Sequence, residues 1–120
     1  MVTADDVRAC AVALPRTEEH LIRDQVKFRI GRIVYLALSA DETVMAFAFP
    51  REERSDLIAA EPEKFFMPRP SDERYNWVRA WMSELSVQEM RELVTDAWRM
   101  CVPKKVAAAH PDDVITRGRS

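Results

Sequence analysis

The sequence predicts an α+β domain in which helices pack on an antiparallel sheet, and three observations carry that assignment. Between Lys27 and Phe49 three short apolar runs are punctuated by Gly31-Arg32 and by Ala40-Asp41-Glu42, the pattern of a three-stranded meander. On either side of it, apolar residues recur at three- and four-residue spacing behind helix-capping residues. A further alternating run, Asn76 to Met82, adds one more strand.

In chain order, Thr3 is placed to cap a first helix, with Asp6 three residues on and Val7, Cys10, Ala11 and Leu14 as its apolar stripe; Pro15 ends it. Arg16 to Gln25 is polar, with Leu21-Ile22-Arg23 as a short edge strand. In the meander, a two-residue connection at Gly31-Arg32 sets Ile30 opposite Ile33, Phe28 opposite Tyr35 and Val26 opposite Ala37 on one face. Lys27 and Arg29 then share the other face with Val34 and Leu36. Pro50 and Arg51-Glu52-Glu53-Arg54 open a helix with Leu57, Ile58 and Ala60 as its buried stripe, and Glu61-Pro62 stops it. Glu63 to Tyr75 is expected to be an ordered loop anchored by Phe65 and Phe66. The last strand puts Val78, Ala80 and Met82 toward the core and leaves Trp77, Arg79 and Trp81 on the opposite surface. Ser86 with Glu89 forms a capping box ahead of the longest helix, whose stripe is Met90, Leu93, Val94, Ala97, Trp98 and Cys101. Pro103-Lys104-Lys105 breaks that helix and a short turn follows, Val106 to Ala109. Residues 1–110 are read as one domain and 111–120 as a polar, frayed tail.

Composition narrows the function classes. A chain of 120 residues that is 48% hydrophobic can bury a core without staples. Both cysteines, Cys10 and Cys101, fall on apolar helix faces, which predicts a reduced, cytoplasmic protein. No apolar run approaches the ~20 residues a membrane-spanning helix needs. The net charge of −2 argues against indiscriminate coating of nucleic acid but leaves room for a local basic patch. With two glycines in the chain, Gly31 and Gly118, no phosphate-cradling loop can form. Cys10, His20, Cys101 and His110 show none of the paired spacings of a zinc site, so no metal or cofactor is expected. His20, beside Glu18 and Glu19, reads as part of a solvated turn, and His110 sits near the tail where nothing excludes water. The expectation is therefore a protein that is not an enzyme.

Two features stand out against these absences. The first is a basic zone. Arg23, Lys27, Arg29 and Arg32 occupy the opening hairpin, Arg79 lies on the last strand, and Lys104-Lys105 form a second point, interleaved with Tyr35, Trp77 and Trp81. The bland alternative is a solvated face paired to Asp24 or Asp41. The second is that the meander looks apolar on both sides, whereas a half-solvated antiparallel sheet has one polar face. Either the loop from Glu63 to Tyr75 and the tail cover that face, or it binds a ligand or partner.

The succession VRACAVALP, KFRIGRIVYLAL, FPREERSDLIAAEPEKFF, YNWVRAWM and MRELVTDAWRMCVPKK resembles the MmcQ/YjbR family of small bacterial proteins, from about Thr3 to Ala109. The resemblance implies a two-layer sandwich of an antiparallel sheet packed by helices, frataxin-like or secretion-chaperone-like. Members are commonly labelled DNA-binding on the strength of a proposed double-wing shape, and the resemblance supplies no catalytic residues. Arg29, Trp77, Pro103, Lys104 and Lys105 match recurring positions. This chain departs from the family in carrying Gly31-Arg32 for a glycine pair, Phe47 for a frequent lysine and Phe49 for an aspartate.

Two functions follow as expectations. One is a DNA-binding module with Lys27, Arg29, Arg32, Arg79, Lys104 and Lys105 as candidate contacts. The other is a protein- or small-ligand-binding module using an apolar sheet face around Leu36, Phe47, Trp77 and Trp81. Either would act as a monomer or weak homodimer, away from membranes.

Overall fold

Thr3 caps the first helix, α1 (Ala4–Val12), as its spacing predicts: the Asp6 amide donates to Thr3 Oγ1 at 3.1 Å, and the Thr3 amide donates to the Asp6 carboxylate at 3.0 Å. The computed structural model describes residues 2–110, so the tail expected at 111–120 lies outside the described residues. After α1 come β1 (Glu18–Ile22), β2 (Gln25–Ile30), β3 (Ile33–Leu38) and β4 (Val44–Ala48). Then follow α2 (Arg51–Ala60), β5 (Phe65–Phe66), β6 (Trp77–Trp81), α3 (Val87–Cys101) and α4 (Lys104–Ala109). The six strands form one antiparallel sheet in the order β1-β2-β3-β4-β6-β5, with α1 packed on α3 and α3 lying over β3 and β4. This is an α+β architecture, helices on one side of an antiparallel sheet.

The meander stands where the apolar runs place it, but its register differs from the alternation rule. Ile30 does pair with Ile33, yet Phe28 faces Leu36 and Val26 faces Leu38, because Tyr35 is an extra residue bulged out between Val34 and Leu36. Its consequence spreads across the sheet. Leu36 pairs in turn with Phe47, and Phe47 with Val78, so all four of Phe28, Leu36, Phe47 and Val78 point under the helices and are fully buried. Leu36 and Phe47 therefore belong to the core and not to the second face, which corrects the apolar-face expectation for both. Strict alternation cannot register an inserted residue, and a one-residue slip exchanges the faces.

The bulged Tyr35 is itself buried, and its hydroxyl meets Thr17 Oγ1 at 2.8 Å. The Trp98 indole of α3 donates to the Pro15 carbonyl at 2.8 Å, so core side chains hold the α1–β1 connection at two points. Burial pushes the Tyr35 phenol up to about 12, against the Thr17 hydrogen bond that favours ionisation. With its folded pKa above the ordinary value of 10.0, the neutral phenol's contribution is complete below pH 10 and is lost as pH rises toward 12. Wild type is expected to lose about 2–3 kcal/mol of stability over that window that Tyr35→Phe does not lose. At neutral pH the variant should give up only about 1 kcal/mol for the stranded Thr17 hydroxyl. Denaturant unfolding at both pH values measures the difference; parallel losses in the two proteins would refute it.

Four further local differences have plain causes. Arg23 is not in the edge strand: with Asp24 it forms the two-residue turn between β1 and β2, both at positive φ (52° and 67°), the conformation that matches the twist of a tight hairpin. The loop from Glu63 to Tyr75 contains a strand, because Phe65 and Phe66 pair with Ala80 and Arg79. On α2, Leu57 and Ile58 are half-buried and Ala60 is exposed, while the buried residue is Arg54. Ser86 caps α3, but the Glu89 carboxylate turns to Lys64 Nζ at 2.8 Å, linking α3 to the β5 region. Among the described residues no helix is long and apolar enough to cross a membrane.

Candidate functional site

On the side of the sheet away from α3, alternation leaves a row joined by successive strand pairings: His20, Lys27, Ala37, Ala46, Arg79, Phe66. The centre of this row is alanine. Val34, Val44 and Ala48 flank it, so the middle of the face is a low apolar floor between longer side chains on β2 and β6. Three inter-strand steps separate the backbones of Lys27 and Arg79, roughly 14 Å. The resulting groove has a volume of ≈ 830 Å³ and reaches round to the end of α3, where Met100 and Cys101 join its lining.

Its second wall is the segment from Pro68 to Asn76, which contributes Pro68, Arg69, Asp72, Tyr75 and Asn76 to the lining. That segment carries little regular structure, so side chains fix it. The Arg54 guanidinium, 7% exposed, donates to the carbonyls of Glu73 (2.8 Å), Tyr75 (3.2 Å) and Trp77 (3.0 Å). Asn76 Oδ1 accepts the Arg51 amide at 2.9 Å, and the Arg51 side chain donates to the Arg74 carbonyl. Arg79 Nε donates to the Met67 carbonyl at 2.9 Å, with its guanidinium 4.7 Å from the Phe66 ring centre. Of the two alternatives for the second face, cover by the loop from Glu63 to Tyr75 with the tail or a binding surface, the loop does not cover the face but walls one side of the groove, and the tail lies outside the described residues.

The predicted site residues divide accordingly. Lys27, Arg32, Arg79 and Trp77 line the groove together. Arg29 shares a strand face with Lys27 and sits opposite Glu18 and Val34; it does not line the groove, and its Nε is buried without a hydrogen-bond partner. Lys104 and Lys105 open α4 and are exposed, outside the lining. Trp81, 43% exposed, lies on the open face beside the groove and stacks on Phe66 at 4.7 Å with an interplanar angle of 25°. Sequence reasoning missed Arg69 as a fourth basic residue of the groove. Its signal was faint, since only the flanking Pro68 and Pro70 mark that stretch as rigid.

Four basic residues, Lys27, Arg32, Arg69 and Arg79, thus meet one carboxylate in the lining, Asp72, which stands 3.8 Å from Arg69. Tighter ion pairs of the described residues lie elsewhere, among them Arg8–Glu19, Arg8–Asp5 and Lys64 with Glu61 and Glu89. Asp41, offered as a neutralising partner, holds its own turn: hydrogen bonds from Thr43 and Ser39 keep its carboxyl below the usual range. Among the described residues no group of three His, Cys, Asp or Glu side chains is placed to hold a metal ion.

Fold and groove together define an open-faced α+β fold, with one sheet face under helices and the other a basic trough. The family model for YjbR matches residues 12–100, and the chain belongs to the MmcQ/YjbR family. Uncharacterized proteins of Mycobacterium tuberculosis and Mycobacterium bovis are 28% identical to it over 127 aligned positions, covering 91% of this chain and 95% of theirs. The crystal structure of Deinococcus radiodurans protein DR2400, with family-model domain DUF419, superposes with a TM-score of 0.71 at 17% identity, over 83% of this chain and 78% of that one. This likeness establishes the shared fold.

Proposed function

We propose that this protein is a non-catalytic DNA-binding module that receives the sugar-phosphate backbone in the basic groove of its open sheet face. The convergence of Lys27 and Arg32 from one hairpin with Arg69 and Arg79 from across the sheet carries the reading. Those four residues come from stretches up to 52 positions apart in the chain, Lys27 to Arg79, and meet above an alanine floor that admits a bulky chain. Cationic side chains of this kind supply most of the affinity for a nucleic-acid backbone and position it. The overall charge of −2 then limits binding to that face. The competing reading, an apolar protein- or small-ligand-binding face, keeps Trp77 and Trp81 but loses Leu36 and Phe47 to the core, which favours the charged groove. The free thiols of Cys10 and Cys101 fit a reducing, cytoplasmic setting. Electrophoretic titration against duplex and single-stranded DNA should give binding that weakens steeply between low and moderate salt. Absence of any shift at low salt would sink the proposal.

A further inference from the structure

Resting on the DNA reading above, we infer that the groove takes a single strand with its bases unstacked against the aromatic side chains of the open face, and that duplex DNA is the poorer ligand. The cations alone do not distinguish the two forms, since both carry phosphates. The aromatic residues do. Trp77 lines the groove, Tyr75 stands on its wall at 52% exposure, and Trp81 lies on the same face four residues beyond Trp77. Trp77, Arg79 and Trp81 follow one another at two-residue intervals, a spacing of roughly 6.6 Å along a strand. That is about twice the ~3.4 Å rise per nucleotide of a duplex strand, which leaves room for a ring between neighbouring bases only when the strand is drawn out of its stack.

A stacking ladder is already built at this edge. Phe66 carries the Arg79 guanidinium 4.7 Å from its centre and the Trp81 ring 4.7 Å away, and the exposed Trp81 extends the open face past the groove. Alternation of aromatic and arginine residues on an open antiparallel sheet supplies both things a single strand requires, a π surface for each base and a cation for the backbone. The duplex alternative would use the β2–β3 hairpin as a wing in the major groove. Its tip offers one cation, Arg32, between Ile30 and an Ile33 that is 52% exposed, while Arg29 is half-buried behind it. A tip of that composition has little with which to read base edges.

The full chain should be titrated by fluorescence anisotropy with a labelled oligothymidylate and with a duplex carrying the same number of phosphates. The single strand is expected to bind at least tenfold more tightly and to quench tryptophan emission. Trp81→Ala should lower single-strand affinity by roughly tenfold, the worth of one stacked base, with Trp81→Phe restoring most of it. Because Trp81 also packs on Phe66, Tyr75→Ala serves as a second variant at a separate position, on a ring that carries the Arg74 guanidinium 4.9 Å from its centre, and is expected to weaken single-strand binding by severalfold. Equal or tighter duplex binding overturns the inference and leaves the groove as a DNA site. Single-strand affinity unchanged in both alanine variants overturns it equally. If neither form binds at low salt, the inference falls together with the DNA reading.

Discussion

Replacing Arg54 by methionine is expected to cost about 3–5 kcal/mol of folding stability and to release the groove wall from Glu73 to Trp77. Methionine fills comparable space, so the loss isolates the hydrogen bonds rather than a cavity. Three carbonyls, of Glu73, Tyr75 and Trp77, depend on this one guanidinium. A hydrogen bond to a charged donor contributes about 1.5–3 kcal/mol, and a carbonyl left buried without a partner costs about 1–3 kcal/mol. These terms overlap, since the freed loop turns some carbonyls to water, which is why the total stays below their sum. Lysine is no substitute, because a single ammonium cannot span three acceptors that a planar fork reaches together. The loss is a large share of the roughly 5–15 kcal/mol available to a domain of this size. Urea unfolding of Arg54→Met and Arg54→Lys measures it. Two variants within about 0.5 kcal/mol of wild type would show that these hydrogen bonds are incidental.

The double reversal Lys27→Glu with Arg32→Glu should lower DNA affinity by about 100-fold at low salt while leaving the unfolding midpoint nearly unchanged. Arg32 is exposed and Lys27 half-exposed on the open face, so neither charge supports the core. With two fewer phosphates neutralised, the slope of log affinity against log salt should also fall by about 1.4 for a single strand. Lys104→Glu with Lys105→Glu provides the comparison. Those lysines lie outside the groove, and their reversal should change affinity by no more than about twofold. If the α4 pair matters as much as the hairpin pair, DNA does not sit in the groove, and a surface that includes Lys104 and Lys105 must receive it instead.

Local chemistry is legible in the sequence wherever neighbours along the chain decide it. Thr3 with Asp6 makes both bonds of its capping box, and Ser86 accepts the Glu89 amide, because each pair is three residues apart and needs no distant partner. Met90, Leu93, Val94, Ala97 and Trp98 are buried because helical periodicity puts them on one stripe. Val78 and Ala80 face the core while Trp77, Arg79 and Trp81 face outward, since β6 runs straight and its alternation is unbroken. In the same way Lys27, Arg32, Arg79 and Trp77 could be chosen as candidates from sequence.

What the chain by itself determined, then, is the α+β class, the strand meander, the starts of α1, α2 and α3 and the outward face of β6, all set by spacing within a few residues. Only the tertiary structure decided which candidates meet. A bulge at Tyr35 depends on burial of its ring in the core and on Thr17, eighteen residues away, and it moved Leu36 and Phe47 from the open face into the core. Arg54 reads in sequence as one more charge in a solvated REER run, yet three carbonyls some 19 to 23 residues distant make it the buried anchor of the groove wall. Arg69 joined the site, and Lys104 and Lys105 left it, for the same physical reason: positive charges have no sequence signature for convergence, and only the packing of β2, β6 and the loop from Pro68 to Asn76 brings them to a common surface.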